Sequence, residues 1–286
     1  VYHFTHMSNA IKIIMSMKLQ SRSQAIGNFT DSASSKVVQI SNKAHKFARF
    51  YFAPKSPTQF YSECLGKDTD DDYYYPKALN MGLPKCPLIV FFVFDLEEIL
   101  SLYPNKCYYS NGNMQKASTS YYKVIESPGH IKAREIFMDI QDNFNERQQE
   151  FLVEDELDFS KLNNVHIYCY NQFQAEMLRK ELKDTKWQDV IETNDSIFDR
   201  KNKQLYFRED NNSIKITTDY SDQYELKVVY HDDTPIIDNT TDIIREKGFN
   251  IYLTRQLTIR KNTNFEVYFE VSLPSFRSWL IYKNTI

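Results

Sequence analysis

Between residues 146 and 153 the chain reads Glu-Arg-Gln-Gln-Glu-Phe-Leu-Val, so a carboxylate opens a short apolar run and an amide stands two residues before it. Side chains in a strand alternate between faces, which puts Gln148 and Glu150 on one wall of a pocket. A carboxylate there suits stabilisation of a sugar cation, and an amide beside it suits the reading of an acceptor. The charged entrance of an ordinary strand has the same spelling, so the rest of the chain decides between the two.

A second group opens the chain. His3 and Thr5 alternate along a first strand, and Asn9 follows where a helix begins. Three polar side chains converging at a strand–helix junction suit ribose hydroxyls and an amide, although a histidine in a strand is often just a satisfied core group. A third group is Phe52-Ala53-Pro54-Lys55-Ser56-Pro57-Thr58-Gln59-Phe60-Tyr61. Two prolines stiffen this segment, presenting Lys55, Ser56 and Gln59 between aromatic rings. A cation so placed suits a pyrophosphate, and the rings suit stacking. The acidic run Asp70-Asp71-Asp72 and the triplet His231-Asp232-Asp233 read as a solvated loop and a turn, and no metal is expected.

The elements that must position these groups follow from periodicity. Val1–Thr5 reads as a strand, and Ser8 or Asn9 caps a helix with Ala10, Ile13, Ile14 and Met17 on its apolar face. Arg49–Ala53 is a strand stopped by Pro54. Leu88–Phe94 is apolar on both faces and should be a central strand. Asp95 caps the next helix, with Glu98 placed for a capping box. Ser110-Asn111-Gly112-Asn113 is a turn, residues 114–147 form a long loop with a short helix near Ile131–Ile140, and such a loop in a compact domain is usually functional or disordered. Glu150–Val153 and Val165–Tyr170 read as strands, and Asn171 caps a helix over Gln172–Leu182. After residue 190 the texture becomes a series of strand-like runs, so the chain divides into 1–190 and a mainly β module over 191–286.

The totals narrow the class. At 286 residues, with 20 Tyr, 20 Phe and only 6 Gly, no glycine-rich phosphate loop is spelled out. Four cysteines without a close pair give neither a zinc site nor a disulfide framework, which fits a reducing cytoplasm. The longest apolar run is too short for a bilayer, no secretory leader is visible, and no membrane is expected as partner. The net charge of -3 hides an asymmetry: residues 1–60 hold eight Lys or Arg against Asp31 alone. A basic segment in an acidic chain suits a polyanion.

In this order, His3-Phe4-Thr5-His6-Met7-Ser8-Asn9, the segment Tyr51–Tyr61, Ser110–Asn113 and Gln149-Glu150-Phe151-Leu152-Val153 resemble the DarT family of NAD-dependent nucleic-acid ADP-ribosyltransferases, over roughly residues 1–183. The resemblance implies an α+β ADP-ribosyltransferase-like fold: two packed antiparallel sheets with flanking helices and NAD, the co-substrate, in the cleft. It implies that His3, Thr5 and Asn9 hold NAD, with Tyr51 and Lys55 beside them, and that Glu150 is the catalytic glutamate, assisted by Lys55. Gln148, Arg49 and Asn113 go with the acceptor. Lys55 stands where the family commonly has arginine, and lysine lacks the bidentate fork. Arg49 lies on the other side of the strand from that place.

The acceptor the family implies is a base of single-stranded DNA, thymine or guanine, and the amide of Gln148 favours guanine. An unpaired base exposes the atoms that a duplex hides. The same chemistry on RNA, a protein-modifying transferase and a catalytically silent nucleic-acid or partner-binding module are the alternatives. An enzyme of this kind is toxic to its own cell, so the resemblance further implies a neutralising partner, an antitoxin or a hydrolase that removes the mark.

Overall fold

The structure is a computed structural model and describes residues 1–25, 29, 42–63, 86–127, 129, 131, 133–137, 146–199, 205–218, 224–232, 237–238, 249–253, 256–271 and 277–286. The acidic run at 70–72 and Cys64 lie outside the described residues, as does most of the polar stretch 21–43.

The first unit opens with β1 (Tyr2–His6), α1 (Met7–Ser16), β2 (Lys18–Gln20), β3 (Phe47–Tyr51) and α2 (Pro57–Glu63). It continues with β4 (Ile89–Phe94), α3 (Leu96–Leu102), β5 (Cys107–Ser110), β6 (Tyr121–Lys123) and α4 (Ala133–Phe137). It closes with β7 (Glu150–Glu154), β8 (Glu156–Asp158), β9 (Val165–Cys169), α5 (Gln172–Glu181) and β10 (Ile191–Thr193). Eight of these strands form one sheet in the order β10-β9-β4-β1-β3-β7-β5-β6. β1 meets β3 through a single residue pair, Tyr2 with Tyr51. The sheet is therefore two four-stranded halves hinged at one point. The resemblance implies two packed antiparallel sheets; here the two halves are continuous through one strand pair. β9 and β10 run parallel, not antiparallel, because α5 carries the chain back over the sheet between them.

β4 is central, between β1 and β9, and its apolar spelling on both faces follows from that position. Asp95 caps α3 by accepting the Glu98 N–H at 2.9 Å, while the Glu98 carboxylate turns to Asn163 and Asn164 instead of closing a capping box. Asn171 caps α5, accepting the Gln174 N–H at 3.0 Å. The cap of α1 is His6, not Ser8 or Asn9: its Nδ1 accepts the Ser8 N–H at 3.2 Å. Asn9 is thereby left inside the first turn, facing Thr5.

The second unit comprises β11 (Leu205–Glu209), β12 (Ser213–Thr218), β13 (Tyr224–Tyr230), β14 (Ile237–Asp238), β15 (Phe249–Leu253), β16 (Gln256–Arg260), β17 (Phe265–Val271) and β18 (Arg277–Asn284). Two antiparallel four-stranded sheets result, β11-β12-β16-β14 and β15-β13-β17-β18. Alternate residues fill their core, among them Ile214 and Ile216, Leu257 and Ile259, Val267 and Phe269. β14 and β16 are strands that the sequence pattern did not single out. The unit is joined to the first through α5, where Phe173 stacks on Phe207 with ring centroids 5.3 Å apart. The expected division at 190 falls just before β10, which still belongs to the first sheet.

Candidate active site

The hinge between the half-sheets opens into a cavity of about 500 Å³, a volume usual for small-molecule sites. β1 contributes His3, Phe4 and Thr5 to its lining, α1 contributes Asn9, β3 contributes Arg49 and Tyr51, and α2 contributes Thr58 and Ser62. Lys12 and Arg22 bring positive charge to the same wall.

His3 Nδ1 lies 2.9 Å from the Arg49 carbonyl oxygen. A carbonyl only accepts, so Nδ1 carries the proton and Nε2 of the neutral ring is an acceptor. Burial pushes the ring's pKa down to about 4, with the Arg49 carbonyl working against that shift, so the ring is neutral near pH 7. Asn9 Nδ2 donates to Thr5 Oγ1 at 3.1 Å, tying two buried polar groups of the junction together. Phe4 stacks on Tyr51 with centroids 5.7 Å apart and planes 13° from parallel. Burial, reinforced by the Glu150 charge, pushes the Tyr51 hydroxyl up to about 12, while its bond to Thr58 pulls the other way.

Glu150 begins β7 opposite Tyr51 and is fully buried. Arg49 donates to it twice, Nε to Oε2 at 2.5 Å and Nη2 to Oε1 at 2.7 Å. The Met114 N–H reaches Oε1 at 3.0 Å, and the Glu150 N–H is held by Ser110 Oγ at 2.9 Å. Burial opposes the charge on Arg49, but the adjacent Glu150 carboxylate outweighs it, so the guanidinium's pKa rises and its charge is secure. Such a planar fork on a carboxylate is geometry that only arginine supplies.

Arg49 lies over the carboxylate, between Glu150 and the cavity. Arg49 and Tyr51 are two apart in β3 and share a face, and that alternation was the signal available in the sequence. Lys55 does not join them. Its side chain is exposed and its backbone has a positive φ of 59°. The segment contributes backbone instead: the Lys55 N–H donates to Gln59 Oε1 at 2.6 Å, and its carbonyl accepts from Arg147 Nη2 at 3.2 Å.

Gln148 and Glu150 are near one another, but not by strand alternation. Gln148 ends a 3₁₀ turn, Glu146–Gln148, just before β7. The loop after β5 brings them together, since its Met114 N–H holds Glu150 and its Asn113 Nδ2 donates to Gln148 Oε1 at 2.7 Å. The Gln115 N–H fixes the orientation of Asn113 by donating to Oδ1 at 2.9 Å. The oxygen of Gln148 is thus held toward Asn113. Among the described residues, no group of three or more His, Cys, Asp or Glu could hold a metal ion, and His231 instead faces Glu266 at 3.6 Å.

The fold is shared with Thermus sp. 2.9 DarT, solved in complex with ADP-ribosylated ssDNA, at 17% identity and a TM-score of 0.51, covering 69% of this chain and 95% of that one. Thermosipho africanus DarTG, solved in complex with ADP-ribose, is similar at 16% identity and a TM-score of 0.49, covering 69% of this chain and 50% of that one. No curated protein matches the chain. The family model of DarT, described as ssDNA thymidine ADP-ribosyltransferase, matches residues 2–199, and the chain belongs to that family. It is therefore an NAD-dependent ADP-ribosyltransferase of single-stranded DNA, with a β unit beyond residue 199 that the family match does not include.

Proposed function

We propose that NAD lies along the cleft between the half-sheets and that Glu150, held by Arg49, directs transfer of ADP-ribose to a keto base of single-stranded DNA. The observation that carries this reading is the pair that half-buried Arg49 makes with fully buried Glu150 at the edge of the cavity. His3 Nε2 and the Thr5–Asn9 pair offer ribose and amide contacts, Phe4 and Tyr51 offer ring faces, and Lys12 and Arg22 offer charge to the pyrophosphate.

As the bond between ribose and nicotinamide breaks, its electron pair leaves with nicotinamide and positive charge develops on the ribose. The negative charge of Glu150 favours that state. A base nitrogen then bonds to the sugar carbon and loses its proton to the carboxylate. Arg49 is the group between Glu150 and the cavity, so it orients the carboxylate and limits its access to water.

The acceptor side is Gln148 with Asn113. An amide both donates and accepts, so Gln148 suits the carbonyl oxygen that guanine and thymine both carry. That widens the guanine preference read from sequence to include the thymidine of the family's description. Transfer to DNA bases would harm the producing cell, so we further propose a toxin role, with a neutralising antitoxin or hydrolase. Cys86, Cys107 and Cys169 are free and buried, in keeping with a reducing cytoplasm. We place the boundary of the transferase unit between residues 199 and 205, after β10.

The test is incubation with NAD and single-stranded DNA or RNA oligomers of each base, followed by mass spectrometry. Adducts are expected on guanine or thymine in DNA, and Gln148→Ala should lower transfer while sparing NAD hydrolysis. Labelling confined to RNA, to protein or to adenine would overturn the assignment.

A further inference from the structure

Helix α2 forms part of the cavity wall with Thr58 and Ser62, one turn apart. Gln59 and Glu63, also one turn apart, are buried at 1% and 2% exposure. Gln59 Nε2 donates to Glu63 Oε1 at 2.6 Å and to the Ile197 carbonyl at 2.8 Å. Glu63 Oε2 accepts the Asp199 N–H at 2.9 Å. At the other end Gln59 Oε1 accepts the Lys55 N–H at 2.6 Å, and the Lys55 carbonyl accepts from Arg147, the neighbour of Gln148. A continuous chain of hydrogen bonds thus runs from Asp199, where the family match ends, to the turn that carries Gln148.

A buried carboxylate is costly, and an apolar residue would fill the same space more cheaply. A helix of only seven residues cannot hold its own position. Lys55 has a left-handed backbone that a side chain disfavours and that its surroundings must impose. One arrangement accounts for all three. We propose that Gln59 and Glu63 are positioning residues for transfer to the base: they lock the Lys55 turn, and through the Lys55 carbonyl and Arg147 they hold the Gln148 wall in register with Glu150. This rests on the acceptor side proposed above.

Glu63→Gln and Arg147→Ala are the deciding variants, with a swap of the side chains at 59 and 63 beside them. Glu63→Gln must turn an NH2 group toward one of two donors, Gln59 Nε2 or the Asp199 N–H. In the double variant Gln59→Glu with Glu63→Gln, the carboxylate at 59 accepts from Lys55 and from the amide at 63. That amide's oxygen then accepts from Asp199, but the second carboxylate oxygen at 59 faces the Ile197 carbonyl, acceptor against acceptor. Glu63→Gln should lower transfer to a single-stranded DNA oligomer about tenfold, the scale of a small misplacement, while NAD affinity and NAD hydrolysis stay within about twofold. The swap should restore the transfer in part. Arg147→Ala, at the half-buried outer end, should lower transfer in the same selective way with the fold secure. Hydrogen exchange should quicken at Lys55 and at residues 147–149 in Glu63→Gln and slow again in the swap. Normal transfer by Glu63→Gln or by Arg147→Ala, or NAD affinity falling as far as transfer, would overturn the proposal. If the wild-type protein leaves single-stranded DNA unlabelled, the proposed acceptor fails, and the exchange pattern alone judges the relay.

Discussion

The two units of this chain bury different chemistry. In the first, the interior holds Thr5, His6, Asn9, Gln59, Glu63, Asn113, Gln148 and Glu150 among its aromatic side chains. In the second, the buried polar or charged residues among those described are Thr263, Glu270 and Asn284, and the rest of the core is aliphatic and aromatic. Interior polar groups cost stability unless each is held by a partner, so a unit that keeps many of them is organised around something other than stability. The β unit has the ordinary alternation of strands built to pack. The contrast assigns chemistry to the polar interior and support to the apolar one.

The largest effect should come from the β unit and should be confined to stability. Trp279 is 1% exposed and lies against Phe269. Trp279→Ala should cost about 3–5 kcal/mol in denaturant unfolding, with NAD hydrolysis per folded molecule unchanged. Lost turnover in the folded fraction would mean that the β unit shapes the active site and that the contrast is false.

Glu150→Gln should act in the opposite sense. Removing a charge aimed at the developing sugar cation should lower transfer roughly a hundredfold or more. The variant leaves Arg49 without its charge partner, so the melting temperature should also fall, by less than for Trp279→Ala. Near-normal transfer by this variant would remove Glu150 from the mechanism.

The smallest effect sharpens the comparison through pH. Burial lowers His3 from 6.5 to about 4 and His6 to about 3, both in the first unit. Each is neutral when folded and would protonate near 6.5 when unfolded. Their stabilising contribution is therefore present above about pH 6.5 and lost as pH falls toward the folded values, by roughly 1.4 kcal/mol per pH unit for each histidine. The β unit has only His231, which is half exposed. His6→Asn keeps a capping acceptor for α1 and removes one titrating group, so its stability should fall less steeply between pH 6.5 and 4.5. Parallel slopes in a pH series of unfolding curves would show that acid sensitivity resides elsewhere.

By itself the sequence determined those features whose causes lie within a few residues. Asp95 and Asn171 were legible as caps because a side chain there reaches an N–H three residues on. β4 was legible as central from its two-faced apolar run, and the strand-rich tail from its alternation. His3, Thr5 and Asn9 were legible as neighbours at a strand–helix junction, and all three line the cavity. Tertiary structure alone decided which of these meet. Arg49 and Glu150 are 101 residues apart, and their pairing depends on the register of β3 against β7. The resemblance directed attention to Lys55 instead, whose side chain is exposed. Gln148 was expected beside Glu150 by strand alternation, yet it sits in a turn and is drawn there by Asn113, 35 residues away. The hinge at Tyr2 and Tyr51, the parallel entry of β10 and the fastening of α2 to Asp199 have the same origin. Each joins groups distant along the chain, and local propensity contains nothing about which distant strand or loop will supply the partner.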